Sequence, residues 1–201
     1  MEKMLNLAGF KCRAFYHQAS GIPIIFLHGL SYTSEIWQKI GVTELLVEKH
    51  VPFLALDMPY GMRTACQPKT RSTEKNLAFV AEATKSTFGS AAPVIVGASI
   101  GGHMALRYAA KFPVKGLLLV SPARALQDDL PKLFDNFNFP VKIIWGSEDN
   151  IVSGEEMRTL ADKLPNAKLA VYEEAAHSSY KDDPERFKRD LLELYLTAER
   201  A

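Results

Sequence analysis

Residues 94–102 read Val94-Ile95-Val96-Gly97-Ala98-Ser99-Ile100-Gly101-Gly102, an apolar run that passes into a glycine-rich turn around a serine. The first three side chains are typical of a buried strand, and apolar residues spaced four apart from Ile100 to Phe112 predict a helix after the turn. A strand, a Gly-x-Ser-x-Gly turn and a helix form the nucleophile-elbow pattern. We therefore take Ser99 as the candidate nucleophile; the alternative is a glycine-rich turn whose serine only caps the helix.

Apolar runs like this one recur on both sides of the elbow and alternate with helical patterns, which is typical of βαβ units around a parallel sheet. The start of the chain instead predicts an antiparallel hairpin over residues 4–7 and 11–17. Buried strands are predicted over 22–27, 52–57, 93–97, 116–120, 141–145 and 167–172. The sequence thus predicts an α/β fold with a mostly parallel sheet of about eight strands, helices on both faces and a single domain over residues 1–201.

Three helix starts are marked by capping residues. Ser72 precedes a helical pattern that ends near Phe88, and Ser153 forms a capping box with Glu156. Asp183 followed by Pro184 predicts the start of the last helix. These helices supply the faces that cover the sheet.

The composition is that of an ordinary globular protein, with 47% apolar and 23% charged residues. Lysine and arginine total 24 against 23 acidic residues, and no block of like charge indicates a nucleic-acid partner. The first ten residues lack the pattern of a secretory signal, and no apolar run has the roughly 18 residues of a membrane span. We expect a soluble, cytoplasmic protein.

The two cysteines, Cys12 and Cys66, lack the paired spacing of a zinc or thioredoxin-like site. For an intracellular protein we expect free thiols, with a disulfide as the alternative because sequence spacing does not report proximity in the fold.

A serine hydroxyl needs a base to accept its proton, and in elbow enzymes the partners follow in the order serine, acid, histidine. Only His103 and His177 come after Ser99. His103 lies on the helix of the elbow and points along its flank, so we interpret it as structural, as we do His28. His177 follows the last strand, at the edge of the sheet where sites of open α/β folds gather, and is the candidate base.

The acid must follow a strand between the elbow and the histidine. Residues 142–149 form a strand that ends in Gly146-Ser147-Glu148-Asp149. Asp149, at Gly-x-x-Asp spacing, is the preferred acid, and Glu148 is interpreted as a solvated turn residue. Asp128 and Asp129 are a weaker alternative after the preceding strand.

His28-Gly29-Leu30 closes the third strand, where a glycine lets the loop fold back and direct a backbone N–H at a substrate oxyanion. The N–H groups of Leu30 and Ile100 are the predicted oxyanion donors.

With these motifs in order, nearly the whole chain resembles the α/β-hydrolase superfamily: the segments 24–29, 57–59, 97–102, 145–149 and 175–177 carry the resemblance. It is similar to small members without a cap domain, which are mostly carboxylesterases, since only residues 121–139 stand where a cap is usually inserted. The loop after Asp57 departs from the usual proline-glycine-x-glycine-x-serine and reads Pro59-Tyr60-Gly61-Met62-Arg63-Thr64. We expect this difference to affect how the substrate is positioned. The serine at the elbow argues against a dehalogenase, because the resemblance implies an aspartate at that position in a dehalogenase.

These residues predict a serine hydrolase that cleaves esters of small to medium acyl groups through an acyl-enzyme, without a metal or other cofactor. The small-molecule ester is the expected partner. With no lid, the pocket should be shallow, and its candidate lining residues are Leu30, Tyr32, Met58, Tyr60, Phe134, Phe137 and Tyr180. A thioesterase, protein deacylase or acyltransferase would use the same triad, and a non-catalytic binding protein could use the same fold.

Overall fold

The computed structural model describes residues 1–201, and its eight strands form one sheet. In chain order the strands are β1 (Glu2–Leu7), β2 (Phe10–His17), β3 (Ile24–Leu27), β4 (Phe53–Leu56), β5 (Val94–Ala98), β6 (Gly116–Val120), β7 (Val141–Gly146) and β8 (Ala167–Tyr172). Across the sheet their order is β1-β2-β4-β3-β5-β6-β7-β8. β2 pairs antiparallel with β1 and β4, and all the other pairs are parallel. The predicted mostly parallel sheet with an N-terminal hairpin is confirmed.

Helices cover both faces of the sheet, as the alternating pattern predicted. The helices are α1 (Ile36–Lys39), α2 (Val42–Glu48), α3 (Thr73–Phe88), α4 (Ile100–Ala109), α5 (Gly154–Lys163), α6 (Ser179–Asp182) and α7 (Pro184–Arg200). The apolar sides of α3, α4 and α5 pack into one buried cluster, and those of α1, α2, α6 and α7 into another. Because both faces of the inner strands are covered, nearly every residue of β3 to β7 is buried.

The predicted capping residues begin their helices. The hydroxyl of Ser72 accepts a hydrogen bond from Lys75 N–H, and that of Ser153 accepts one from Glu156 N–H. The Asp183 carboxylate accepts one from Arg186 N–H at the start of α7. Each side chain satisfies a backbone donor that the first helical turn leaves without an acceptor.

The segment between β6 and β7 is short, as the resemblance to cap-less proteins implied. It contains one 3-10 helix, Leu130–Asn136, and no inserted domain. No helix is both long enough and apolar enough to cross a membrane. The carboxyl ends of the parallel strands β3, β5, β7 and β8 therefore meet at one uncovered edge of the sheet, where their loops are adjacent.

The expectation of free cysteine thiols is wrong, because Cys12 and Cys66 form a disulfide. Cys12 lies on β2 and Cys66 lies in the loop after β4, 54 residues further along the chain. An isolated antiparallel bridge between Lys11 and Gln67 brings the two cysteines together, with their Cα atoms 4.3 Å apart. This pairing depends on how β2 lies beside β4, which the spacing of the cysteines does not report.

Candidate active site

Ser99 occupies the sharp turn between β5 and α4. Its backbone has φ 53° and ψ −117°, a conformation that side-chain-bearing residues rarely adopt. The two motif glycines allow the turn to close: a Cβ at Gly97 would collide with the Gly101 backbone, and one at Gly101 would collide with the carbonyl of Leu27. The Gly-x-Ser-x-Gly spacing is therefore required by backbone contacts on both sides of the serine.

The same turn is fixed by hydrogen bonds of the Ser99 backbone. Its N–H donates to the carbonyl of Val120 on the neighbouring strand β6, at 2.9 Å. Its carbonyl accepts from the N–H groups of Gly102, His103 and Ala123 at 2.9 to 3.2 Å. Strand, helix and the loop after β6 thus hold the unusual backbone conformation of Ser99.

His177 and Asp149 form a hydrogen-bonded pair at the carboxyl ends of β7 and β8. His177 Nδ1 lies 2.9 Å from Asp149 Oδ2. The other carboxylate oxygen accepts from the N–H groups of Ile151 and Val152, at 2.9 and 3.0 Å. The Asp149 side chain is fully shielded from solvent, whereas that of His177 is 17% exposed. The carboxylate is thus behind the imidazole, away from solvent.

Two opposing effects set the protonation of Asp149. Burial raises the pKa of this carboxyl group, while the hydrogen bonds from Val152 and His177 lower it, and the net pKa lies below its usual value. Asp149 is therefore ionised at neutral pH, and its Oδ2 accepts a hydrogen bond from the N–H of His177 Nδ1. This fixes the imidazole tautomer that leaves Nε2 as an acceptor.

The loop after β3 is held by contacts from the loop after β4. His28 Nε2 accepts a hydrogen bond from Met58 N–H at 3.0 Å, so its Nδ1 carries the proton and donates to the carbonyl of Gly29 at 2.7 Å. The Tyr60 hydroxyl donates to the His28 carbonyl at 2.6 Å. Burial lowers the pKa of His28 to about 4, so its ring is neutral near pH 7.

The predicted oxyanion donors come from two segments: Leu30 lies in the loop after β3, and Ile100 directly follows Ser99 in the chain. The Leu30 carbonyl accepts from Met62 N–H at 2.9 Å, which orients this part of the loop, while the N–H of Leu30 has no acceptor in the chain. Ile100 is the first residue of α4, so its N–H has no intrahelical acceptor either. Two free backbone donors next to a serine can together stabilise a developing negative charge.

Ser99 and His177 line the same cavity of about 230 Å³. Leu30, Tyr32 and Tyr180 also line it, as predicted from the sequence. The remaining lining residues are Gly29, Ser31, Ala98, Ile151 and Ser178. No hydrogen bond joins the Ser99 hydroxyl to His177 in the structure, and the hydrogen bond of the His177 ring is the one to Asp149.

Four predicted pocket residues are placed elsewhere. Phe134 and Phe137 are buried with each other in the core on the α3–α5 face, where their rings lie 5.5 Å apart. Met58 and Tyr60 belong to the same buried cluster, beneath the loop after β3. Their apolar side chains stabilise the domain and do not line the cavity. The prediction that these four residues line the pocket is therefore wrong.

The alternative acids and bases lie away from the cavity. Asp128 and Asp129 pair with Arg107 at 3.2 and 2.7 Å, and Glu148 is exposed. His103 is buried, and its Nδ1 lies 3.2 Å from the carbonyl of Arg124. His103 and Glu148 thus have the structural and solvated positions that the sequence indicated, whereas Asp128 and Asp129, the weaker alternative acids, pair with Arg107.

Sequence reasoning missed Ile151 and Ser178 as lining residues. Ile151 is 67% exposed two residues after Asp149, and Ser178 directly follows His177. The sequence feature that could have identified these two lining residues is their position next to the candidate acid and the candidate base. No group of three or more histidine, cysteine, aspartate or glutamate side chains is arranged to hold a metal ion.

Comparison with known proteins gives relatives over most of the chain. Human protein ABHD14A is 28% identical over 178 residues, which is 88% of this chain and 65% of that protein. The zebrafish protein of that name, from Danio rerio, is 26% identical over 86% of this chain and 63% of its own length. The chain thus spans slightly less than two thirds of these relatives. A rat protein named "Putative protein-lysine deacylase ABHD14B" is 26% identical over 88% of this chain and 84% of its own length.

Solved structures share the fold. A predicted CIB-like hydrolase from Thermoplasma acidophilum superposes with a TM-score of 0.85 at 24% identity, covering 96% of both chains. A thermophilic esterase from Thermogutta terrifontis has a TM-score of 0.83 at 15% identity, covering 99% of both. The sequence model of the alpha/beta hydrolase family matches residues 24–141, which is more than half of the chain. This chain belongs to the alpha/beta hydrolase family.

Proposed function

We propose that this hydrolase cleaves esters of small acyl groups, with Ser99 as nucleophile, His177 as general base and Asp149 as the acid that orients the histidine. One observation carries the proposal: Ser99, on its strained turn, lines the same cavity as a histidine whose Nδ1 is hydrogen-bonded to a buried carboxylate. A nucleophile, a base and a group that orients the base are the three parts of a serine-hydrolase triad.

In the proposed first half-reaction, Ser99 Oγ attacks the carbonyl carbon of the ester while its proton passes to His177 Nε2. The oxyanion accepts hydrogen bonds from the N–H groups of Leu30 and Ile100. Breaking the C–O bond releases the alcohol, which takes the proton from His177, and leaves an acyl group on Ser99. A water molecule then loses a proton to His177 and attacks the acyl-enzyme, which frees the acid and restores Ser99.

The cavity supports a small acyl group. Its volume of about 230 Å³ lies below the roughly 300–1,000 Å³ of pockets that enclose drug-sized ligands. Much of the lining is apolar: Ala98, Leu30 and Ile151, together with the rings of Tyr32 and Tyr180. An acyl chain of a few carbons would bury its methylene groups against these side chains.

A second candidate activity is the removal of acyl groups from lysine side chains of proteins. The ABHD14B relatives carry the name "Putative protein-lysine deacylase", and the rat protein is 26% identical over most of both chains. The short segment between β6 and β7 inserts no domain over the sheet edge, so a lysine on a protein surface could reach Ser99. The triad and the acyl-enzyme would be the same, and the leaving group would be an amine.

Covalent labelling tests the nucleophile. A fluorophosphonate probe should label the wild-type protein and leave Ser99→Ala unlabelled, because the probe reacts with an activated serine. Ser90→Ala, which changes an exposed serine in the turn after α3, is the matched control and should label like the wild type. Labelling of Ser99→Ala at the wild-type level would overturn the proposal.

Turnover then separates the two candidate activities. The wild type would be assayed on p-nitrophenyl esters of two to eight carbons and on peptides with acyl-lysine of the same chain lengths. Faster turnover of short esters would favour the esterase, whereas deacylation of peptides at comparable kcat/KM would favour the deacylase. An amide is intrinsically harder to cleave, so peptide turnover would indicate a site that recognises the lysine.

A further inference from the structure

A lysine stands at the edge of the cavity beside one of its lining tyrosines. Lys181, on α6, places its Nζ 3.4 Å from the hydroxyl of Tyr32 and 5.5 Å from the centre of that ring. The Tyr32 hydroxyl is also 3.2 Å from the Ser178 hydroxyl. Because the ammonium group has three N–H donors and Tyr32 takes one, two remain for another acceptor. Lys181 is thus a donor at the side of the cavity lined by Tyr32 and Ser178.

No carboxylate of the chain neutralises this ammonium group. Lys181 is in no ion pair, and no aspartate or glutamate lines the cavity. The neighbouring Asp182 accepts a hydrogen bond from Ala176 N–H, and Asp183 caps α7. Asp149 is shielded from solvent and bonded to His177. The ammonium group of Lys181 is therefore without an ion-pair partner beside Tyr32, which lines the cavity.

Tyr180 adds a buried donor without an acceptor. It is 1% exposed and lines the cavity, and its hydroxyl has no hydrogen-bond partner. Burial raises the pKa of Tyr180, so the hydroxyl keeps its proton and remains a donor. A buried donor left without an acceptor is costly, and a ligand that supplies one recovers that cost.

Lys181 can only donate, and the hydroxyls of Ser178 and Tyr180 can each donate one hydrogen bond, so an anion that only accepts would complement all three. We propose that Lys181, with the hydroxyls of Ser178 and Tyr180, forms a subsite for a carboxylate on the substrate. The preferred substrates are then esters that carry a carboxylate a few atoms from the carbonyl that Ser99 attacks, such as half-esters of short dicarboxylic acids. This inference rests on the proposed function for its choice of ester, although binding to the subsite does not require turnover.

Matched ester pairs test the subsite in turnover. The p-nitrophenyl monoesters of succinic and glutaric acid would be compared with the butyrate and pentanoate, which have the same number of carbons. Rates with Ser99→Ala provide the blank for spontaneous hydrolysis. We expect the ratio of kcat/KM for the anionic ester to kcat/KM for the neutral ester to fall about fivefold in Lys181→Met, as for an exposed charged hydrogen bond. Lys181→Arg should retain the ratio, and Lys168→Met, which removes an exposed charge on β8, should leave it unchanged.

A second arm of the experiment uses esters that carry the carboxylate on the leaving group instead of the acyl group. 4-Acetoxybenzoate would be compared with phenyl acetate in the same variants. A Lys181-dependent preference in either arm supports the subsite and shows on which side of the reacting carbonyl it lies. Equal losses on anionic and neutral esters, or a ratio that Lys181→Met leaves unchanged in both arms, would overturn it.

Binding to the inactive protein separates this inference from the proposed function. Calorimetry with Ser99→Ala would compare monomethyl glutarate with methyl pentanoate, with and without Lys181→Met. Tighter binding of the glutarate that depends on Lys181 and weakens with added salt supports the subsite even if the wild type hydrolyses no ester. If neither compound binds better than the other, the subsite is rejected, whatever the protein hydrolyses.

Discussion

His28 and His177 each follow a strand of the same sheet, yet their ring nitrogens have different partners. His28 is fully buried, with Met58 N–H on Nε2 and the Gly29 carbonyl on Nδ1. His177 is partly exposed, with Asp149 on Nδ1 and no hydrogen bond on Nε2. A histidine with both nitrogens satisfied crosslinks two loops, whereas one with a free nitrogen in a cavity can exchange a proton.

The loops that carry the two histidines also differ in the hydrogen bonds that hold them. The loop after β3 is fixed by buried polar groups: the Tyr60 hydroxyl holds the His28 carbonyl, and the Asp57 carboxylate accepts from both the N–H and the hydroxyl of Ser34. The loop after β8 is more exposed, and three hydrogen bonds join it to the loop after β7: Glu148 N–H to the Ala175 carbonyl, Glu174 N–H to the Ser147 hydroxyl, and His177 to Asp149. The first loop is held by buried polar groups, and the second leaves Nε2 of His177 without a hydrogen bond.

The largest expected effect comes from removing the imidazole with the free nitrogen. His177→Ala should lower kcat on the best ester by about 10⁶-fold, because Ser99 loses its general base. The free energy of unfolding should fall by about 1–3 kcal/mol, since the shielded Asp149 carboxylate loses one hydrogen-bond partner. Stopped assays and urea unfolding measure the two quantities.

His50→Asn is the matched control for that substitution. His50 is exposed and has φ 54°, a conformation that asparagine tolerates. Its kcat should equal that of the wild type. Substantial turnover by His177→Ala would remove His177 from the mechanism.

The next largest effect tests the partner of His177. Asp149→Asn should lower kcat by about 10⁴-fold, because the amide favours the wrong imidazole tautomer and cannot stabilise the charged ring. Glu148→Gln changes the exposed neighbouring carboxylate and should turn over normally. If Glu148→Gln instead loses activity and Asp149→Asn turns over normally, Glu148 is the acid.

The sequence predicted the features that local backbone chemistry enforces. The strand over Val94–Ala98 is uniformly apolar because both faces are buried, and Gly97 and Gly101 are required by contacts within the elbow itself. The capping residues Ser72 and Ser153 act within their own first helical turns. In each case the residues that determine the structure lie within a few positions of one another, so they can be identified in the sequence.

Features that depend on side-chain direction or on distant neighbours were not predictable in this way. Phe134 and Phe137 point into the core, although a short segment near the sheet edge suggested the pocket. The pairing of Cys12 with Cys66 follows from the placement of β2 beside β4. The closeness of Asp149 and His177 is also long-range, and only the order of motifs along the chain indicated it.

A smaller effect, on stability, is expected at the buried histidine. The pKa of His28 is about 4 in the folded protein, against about 6.5 in an unfolded chain. The unfolded state therefore binds more protons between these values, so stability falls as pH drops from about 6.5 to 4. His28 should contribute about 3 kcal/mol to the loss of unfolding free energy over that range.

Urea unfolding of the wild type and His28→Gln at pH 7 and pH 4 measures this contribution. The glutamine can accept from Met58 N–H but does not titrate, so the variant should lose less stability on acidification than the wild type. Carboxylates such as Asp149 titrate in both proteins and cancel in the comparison. Parallel losses in the two proteins would show that the His28 ring is not held neutral by burial.

The smallest effect isolates one hydrogen bond on the loop after β3. Tyr60→Phe keeps the ring but removes the hydroxyl that donates to the His28 carbonyl, so unfolding free energy should fall by about 1–2 kcal/mol. Because His28 and Leu30 share this loop, the Leu30 N–H would be less well positioned, and kcat should fall about threefold with KM unchanged. Tyr16→Phe, whose hydroxyl makes no hydrogen bond, is the control. A fall in stability with unaltered kcat would mean that the contact stabilises the loop without positioning the oxyanion donor.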